Sequence, residues 1–190
     1  MNIEPLTSMD NAAKQMIIET ARFTLRPVQQ SDAGLIEMHG SDIRVAGNTT
    51  SIPHPYPPGA ADAFVARANE TDRTEDIWVL DGSKSGHAEL IGTISLTRQD
   101  MGTRDGKQSE IGYWVAPAFW NTGLASEAVN AILDANPQGC DAIFASVFQD
   151  NPASARVLTN AGFAYIGDAE SYSVARMANV LTWTYVKKLI

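Results

Sequence analysis

EIGYWVAPAFWNTGLASEA, residues 110–128, changes its hydrophobic period partway along. Up to Ala116 it completes a strand that opens at Ser109. Beyond Gly123, residues Ala125, Ala128, Val129, Ile132 and Leu133 recur at i, i+3, i+4, i+7 and i+8, which is the spacing of a core-facing helix. The stretch therefore reads as strand, short loop, amphipathic helix. The unpaired N–H groups and the positive dipole end at such a helix start attract anions, and Gly123 and Ala125 leave the backbone bare enough for a pyrophosphate to approach. A Gly-x-Ala loop alone fits equally a helix start that needs small residues for close packing.

Working outward, Asn136 to Gly139 stops the helix, and Ala142 to Phe148 reads as a buried strand. Strand, helix, strand implies a parallel crossover. Asn151 and Pro152 then start a short helix that Gly162 ends, and strands near Tyr165 and over Leu181 to Val186 follow. Upstream, Asp76 to Leu80, Leu90 to Thr97 and Ser109 to Ala116 form an antiparallel meander with turns near Gly82 and Gly106. Before the meander come a strand around Phe23 and Leu25, a helix capped at Ser31 or Asp32, and a helix through Ala63, Phe64 and Ala68. Pro53, Pro55, Pro57 and Pro58 make residues 48–59 a stiff loop. The order β-α-α-β-β-β-α-β-α-β-β is that of a mixed α+β sheet. Residues 1–18 read as an N-terminal extension that docks as a short helix, and residues 19–190 as one domain.

A chain of 190 residues with 44% hydrophobic and 19% charged residues can bury its own core. Its one cysteine, Cys140, excludes an internal disulfide, and His39, His54 and His87 are too scattered for a metal site, so no metal is expected. The start lacks a secretory pattern and no segment is apolar for long enough to span a bilayer, so the reading is a soluble cytoplasmic protein. A net charge of −8 disfavours nucleic acid and anionic membrane as partners.

A second block, NPASARVLTNAGF at residues 151–163, puts Asn151, Ser154 and Leu158 on one helical face. An Asn before Pro caps helices in any protein, so this block too has a purely structural reading. Together, in this order, EIGYWVAPAFWNTGLASEAV and NPASARVLTNAGF resemble the coenzyme A signature of the GNAT N-acetyltransferase superfamily, in its ribosomal-protein N-acetyltransferase-like (RimJ/RimL type) branch. The opening IETARFTLRPVQQSDAGLI, residues 18–36, is similar to the same branch.

The resemblance implies a mostly antiparallel six- to seven-stranded sheet with about four helices and a V-shaped splay between two parallel strands. It implies acetyl-CoA as cosubstrate, with its pyrophosphate on backbone N–H groups from Asn121 through Thr122, Gly123 and Leu124 to Ala125. Ser126, Trp114, Val115 and Trp120 would complete the coenzyme contacts, and Asn151 and Ser154 would line pantetheine and thioester. Two positions depart from the pattern. Thr122 stands where the branch often has a basic residue, which leaves the phosphates to backbone dipoles or a more distant group such as Arg156, and Leu158 stands where many members carry a tyrosine acid.

Transfer needs a base, oxyanion donors and an exit for the thiolate. Glu110, opening the strand beside the crevice, is the candidate base; the N–H near Val115 is the oxyanion donor the family implies, and Ser154 a group to orient the thioester or relay a proton. Glu110 can equally be an exposed strand residue paired across the sheet. Tyr113 and Trp114 alternate across their strand, so they leave it on opposite faces; one can face the crevice while the other packs into the core, but core packing is the stronger reading for both. By fold analogy the acceptor pocket draws on His54 and Tyr56 of the proline-rich loop, Tyr113, and Tyr172 and Arg176 of the C-terminal hairpin. Cys140, in a turn with no nearby histidine, is structural. The function expected is acetyl transfer to an amine, on a protein N-terminus or a small molecule, by a monomer or homodimer; the alternative is a degenerate CoA-binding sensor. Neither G-x-x-x-x-G-K-[ST] nor G-x-G-x-x-G occurs.

Overall fold

The computed structural model describes residues 15–99 and 106–189. Among the described residues eight strands form one sheet in the order β1-β2-β3-β4-β5-β6-β8-β7. They are β1 (Ile18–Glu19), β2 (Thr24–Pro27), β3 (Glu75–Asp81), β4 (Gly92–Gln99), β5 (Gln108–Val115), β6 (Ala142–Phe148), β7 (Ala164–Ser173) and β8 (Ala178–Lys188). Five α-helices accompany them: α1 (Ala33–Gly40), α2 (Ile43–Ala46), α3 (Ala60–Ala68), α4 (Leu124–Ala135) and α5 (Pro152–Asn160). Every strand pair is antiparallel except β5 with β6.

The mixed, mostly antiparallel α+β class follows the expectation, with one strand and one helix more than expected. Both additions are too short to carry a period. β1 is two residues that pair Ile18 with Leu25, and α2 is a single turn capped by the Asp42 side chain, which accepts from Arg44 N. β1 straddles the boundary expected between residues 18 and 19. The short helix expected in residues 1–18 falls, over residues 1–14, outside the described residues.

Alternation along the strands gives the sheet two buried faces. In β3, Trp78 and Leu80 enter one core with Val129 and Ile132 of α4 and Leu158 of α5. Ile77 and Val79 enter a second core with Ile36 of α1 and Val65 of α3. A buried ion cluster joins β2, the start of α1 and β3: Arg26, 8% exposed, donates to both oxygens of fully buried Asp32 at 2.8 and 2.9 Å and to Asp81 at 2.7 Å.

Candidate active site

β5 and β6 pair at only three rungs, Gln108 with Ala142, Ser109 with Ile143 and Glu110 with Phe144. Past Glu110 they part, while β5 stays paired to β4 as far as Val115 and β6 to β8 as far as Phe148. The result is a fork with Glu110 at its apex. Ala116 N–H donates to Ile91 O on the β4 side, so by alternation the N–H groups of Tyr113 and Val115 point away from β4, into the fork.

Successive β5 side chains leave on opposite faces. Glu110 and Trp114 project to the α1–α3 side, and Ile111, Tyr113 and Val115 to the α4–α5 side. Glu110 is half-buried, with Gln99 Nε2 at 3.5 Å from its Oε2. Trp114 packs its ring 5.8 Å from that of His39 on α1, where burial holds the imidazole below its ordinary pKa. Tyr113 goes the other way, placing Oη 2.8 Å from Ser154 Oγ. Tyr113 is thus on the helix side of the fork and Trp114 on the side of the proline-rich loop.

The loop before α4 is built by two left-handed residues, Asn121 (φ 61°) and Gly123 (φ 82°). Trp120 folds back so that its indole N–H donates to Val115 O at 2.7 Å, and Thr122 Oγ1 donates to Phe119 O at 2.6 Å. Asn121, Thr122 and Gly123 are exposed, Leu124 is buried in the core, and Ala125 and Ser126 are half-buried. No side chain caps the helix at Gly123, so the amides of its first turn, through Ser126, face outward.

Beside this loop stands a cation that the sequence reading assigned no role. Arg22, between β1 and β2, donates through Nε to Glu127 at 2.6 Å and through Nη1 to Thr122 O at 2.7 Å. Its Nη2 lies 3.5 Å from where a Cβ on Gly123 would sit, and has no hydrogen bond among the described residues. Arg156, the more distant cation considered from sequence, lies on the exposed face of α5. The signal for Arg22 is the pairing of an arginine with a glutamate 105 residues later, which no local pattern displays.

On α5, Asn151 caps the helix as expected, its side chain accepting Ser154 N–H at 3.2 Å. Leu158 is fully buried. Across the fork, the Tyr56 ring lies against Gly40, where an added Cβ would come within 2.7 Å, and packs in the same core as Trp114. The Nδ1 of His54 is buried without a partner among the described residues. Tyr172, 56% exposed, lies near the tip of the β7–β8 hairpin. That tip docks onto the start of the proline-rich segment: Val174 N donates to Thr50 O, and Arg176 Nε to Gly47 O at 2.6 Å. Arg176 also pairs with Asp150 at 2.5 Å and covers the Phe148 ring, so its guanidinium ties the walls together.

Cys140 is buried against Ser109 Oγ, as befits a structural residue. Among the described residues no group of three or more His, Cys, Asp or Glu could hold a metal, and no helix is long and apolar enough to cross a membrane.

An N-acetyltransferase of uncharacterised role from Bacillus subtilis, YoaA, is 36% identical over 163 residues, covering 82% of this chain and 87% of its own. RimL, a ribosomal L7/L12 alpha-N-protein acetyltransferase solved with coenzyme A, superposes with a TM-score of 0.75 at 15% identity, covering 91% of this chain and 98% of that one. Spermidine N-acetyltransferase from Vibrio cholerae, solved with CoA and spermine, gives 0.69 at 18% identity, covering 90% and 99%. These two structures establish the fold. The family model of the acetyltransferase (GNAT) domain matches residues 22–164, from Arg22 beside the loop to the first residue of β7. Since that span contains the whole fork and both helices flanking it, the chain belongs to the GNAT family and is an acyl-CoA-dependent acetyltransferase.

Proposed function

We propose that this chain moves the acetyl group of acetyl-CoA directly to a primary amine, on a protein N-terminus or a small molecule, within a ternary complex. The observation that carries the reading is the fork: two strands parting at Glu110, one edge lined by N–H groups, with an uncapped helix start beside it. In this reading pantetheine lies along the free edge of β5, and the diphosphate sits over the amides from Asn121 to Ser126 with Arg22 as its counter-charge. Trp120 covers apolar coenzyme surface, and Asn151 and Ser154 line the thioester arm. One domain, residues 19–190, carries the reaction in the cytoplasm.

The amine approaches from the α1–α3 side, past Trp114, Tyr56, His54 and the hairpin bearing Tyr172. Glu110 accepts its proton, directly or through a water, as nitrogen attacks the thioester carbonyl. The Val115 N–H, which points into the fork, donates to the oxygen as it gains charge. Both the base and the donor sit on strands, so little reorganisation is needed at the moment of reaction.

The test is thiol release from acetyl-CoA with a panel of amines, including spermidine and a peptide with a free N-terminal alanine, and mass spectrometry of the acceptor. An acceptor heavier by one acetyl group supports the reading. Coenzyme binding with release no faster than hydrolysis would instead make the protein a sensor of the coenzyme.

A further inference from the structure

The two prongs of the fork are bridged on the α4–α5 side by a pair of hydroxyls. Tyr113 stands on β5 three residues beyond the last rung shared with β6, and Ser154 in the first turn of the helix that follows β6. Tyr113 Oη is 2.8 Å from Ser154 Oγ and 3.2 Å from Ser154 O. Asn151 holds the Ser154 amide, which fixes the serine's place in the fork. One turn along, Leu158 is fully buried, so α5 presents no acidic hydrogen there.

Three oxygens and two hydrogens allow two arrangements. In the first, the phenol donates to Ser154 O and the serine donates to Oη, so the pair is closed on itself. In the second, the phenol donates to Oγ and the serine hydrogen is free to meet a third atom. Rotation of two O–H bonds interconverts them, with no movement of either side chain.

We propose that Tyr113 is a positioning residue of acetyl transfer: by donating to Ser154 Oγ it turns the serine hydrogen onto the sulfur that leaves the acetyl carbonyl. The inference rests on the transfer reading above and deepens it. As the C–S bond breaks, its electron pair goes to sulfur, and the thiolate departs against the Ser154 O–H. Neither hydroxyl changes its protonation state. The proton that Glu110 takes from the amine returns to solvent, and the thiolate takes one from solvent on release. Glu110 leaves β5 on the face opposite Tyr113, so base and thiolate donor flank the carbon from opposite sides. Burial pushes the Tyr113 phenol up to about 12, outweighing the opposite pull of Ser154, so it remains a donor wherever amines are acetylated.

The experiment compares Tyr113→Phe, Ser154→Ala and the double variant by thiol release with the best amine of the panel. Acetyl-CoA affinity is read by calorimetry and folding by the melting temperature. Ser154→Ala leaves the phenol its carbonyl acceptor and so preserves the packing. Tyr113→Phe is expected to lower kcat about tenfold, the worth of one hydrogen bond, with coenzyme affinity within about twofold. Ser154→Ala should lose at least as much, and the double variant no more than Ser154→Ala alone. Unchanged kcat in Tyr113→Phe, losses that multiply in the double variant, or a fall in affinity matching the fall in kcat would each overturn the positioning role while leaving transfer intact. A wild-type protein that binds acetyl-CoA but acetylates no amine would overturn transfer itself, and this role with it.

Discussion

Arg22 and Glu127, 105 residues apart, are joined twice: the Arg22 backbone N–H reaches Glu127 Oε1 at 3.0 Å and the guanidinium Nε reaches Oε2 at 2.6 Å. The carboxylate therefore fixes both ends of the arginine and points the rest of its guanidinium at the Thr122–Gly123 loop. The branch of the family that this sequence resembles often carries a basic residue in that loop; here the loop has Thr122, and the cation beside it is Arg22, from the turn between β1 and β2.

Arg22→Ala should therefore weaken coenzyme A binding by about tenfold or more, the size of one charge-assisted hydrogen bond. Stability should change by less than about 1 kcal/mol, because the arginine is 42% exposed. Calorimetric titration with coenzyme A, repeated at high salt, checks this. An affinity equal to that of wild type would remove Arg22 from the phosphate site.

Gly123 separates charge from shape. At φ 82° any side chain is strained by about 1 kcal/mol, but the nearest atom to an added Cβ is Arg22 Nη2 at 3.5 Å, so there is room. Gly123→Asn and Gly123→Asp cost similar strain, yet only the second places a carboxylate over the amides and beside the arginine. Coenzyme binding should survive in large part in the first and be lost in the second, with both folded by circular dichroism. Equal affinities would mean that no anion binds there.

The sheet and its parallel crossover were legible because strand and helix announce themselves by period, and the breaks at Asn136 to Gly139 and at Asn151 and Pro152 are local chemistry; the splay of the fork came only with the resemblance. β1 and α2 were not legible, being two and four residues long. Nor does sequence say which of Tyr113 and Trp114 faces which helices, since alternation fixes only that they differ. That choice is settled by what each face meets, Ser154 on one and His39 on the other. Arg22 and the anchoring of Arg176 to Gly47 and Asp150 depend on contacts between distant segments, which leave no trace in spacing.

Glu110→Gln keeps the shape of the apex and the contact with Gln99 while removing the capacity to accept a proton. We expect kcat to fall by about a hundredfold, in the range typical of general-base removal, with acetyl-CoA affinity unchanged. The loss should shrink as pH rises and the amine deprotonates unaided. A rate equal to wild type across the pH range would leave Glu110 a strand residue and no more.

Stability should fall with acid, and Arg26 should decide part of the slope. Burial raises the Asp81 carboxyl, but its bonds with Ser83 and Arg26 outweigh that and hold it below the usual range; Glu127 is held low in the same way by Arg22. A carboxylate depressed in the folded state binds fewer protons than its unfolded counterpart. Its stabilisation is therefore complete above the unfolded pKa and is lost as pH falls through the folded one. The melting temperature should be flat above about pH 5 and decline below about pH 4. The Arg26 guanidinium is shifted up, so it stays charged throughout and adds no slope of its own. Replacing it with methionine leaves Asp32, 0% exposed, without its cation, at a cost of about 3–5 kcal/mol near neutrality. In that variant Asp81 also loses the guanidinium that helps hold its carboxyl low, so the wild type surrenders more stability in acid and the variant's deficit should narrow as the pH drops from about 6 to about 3. A deficit constant across that range would mean that packing of the arginine stem, rather than its charge, holds β2 to β3.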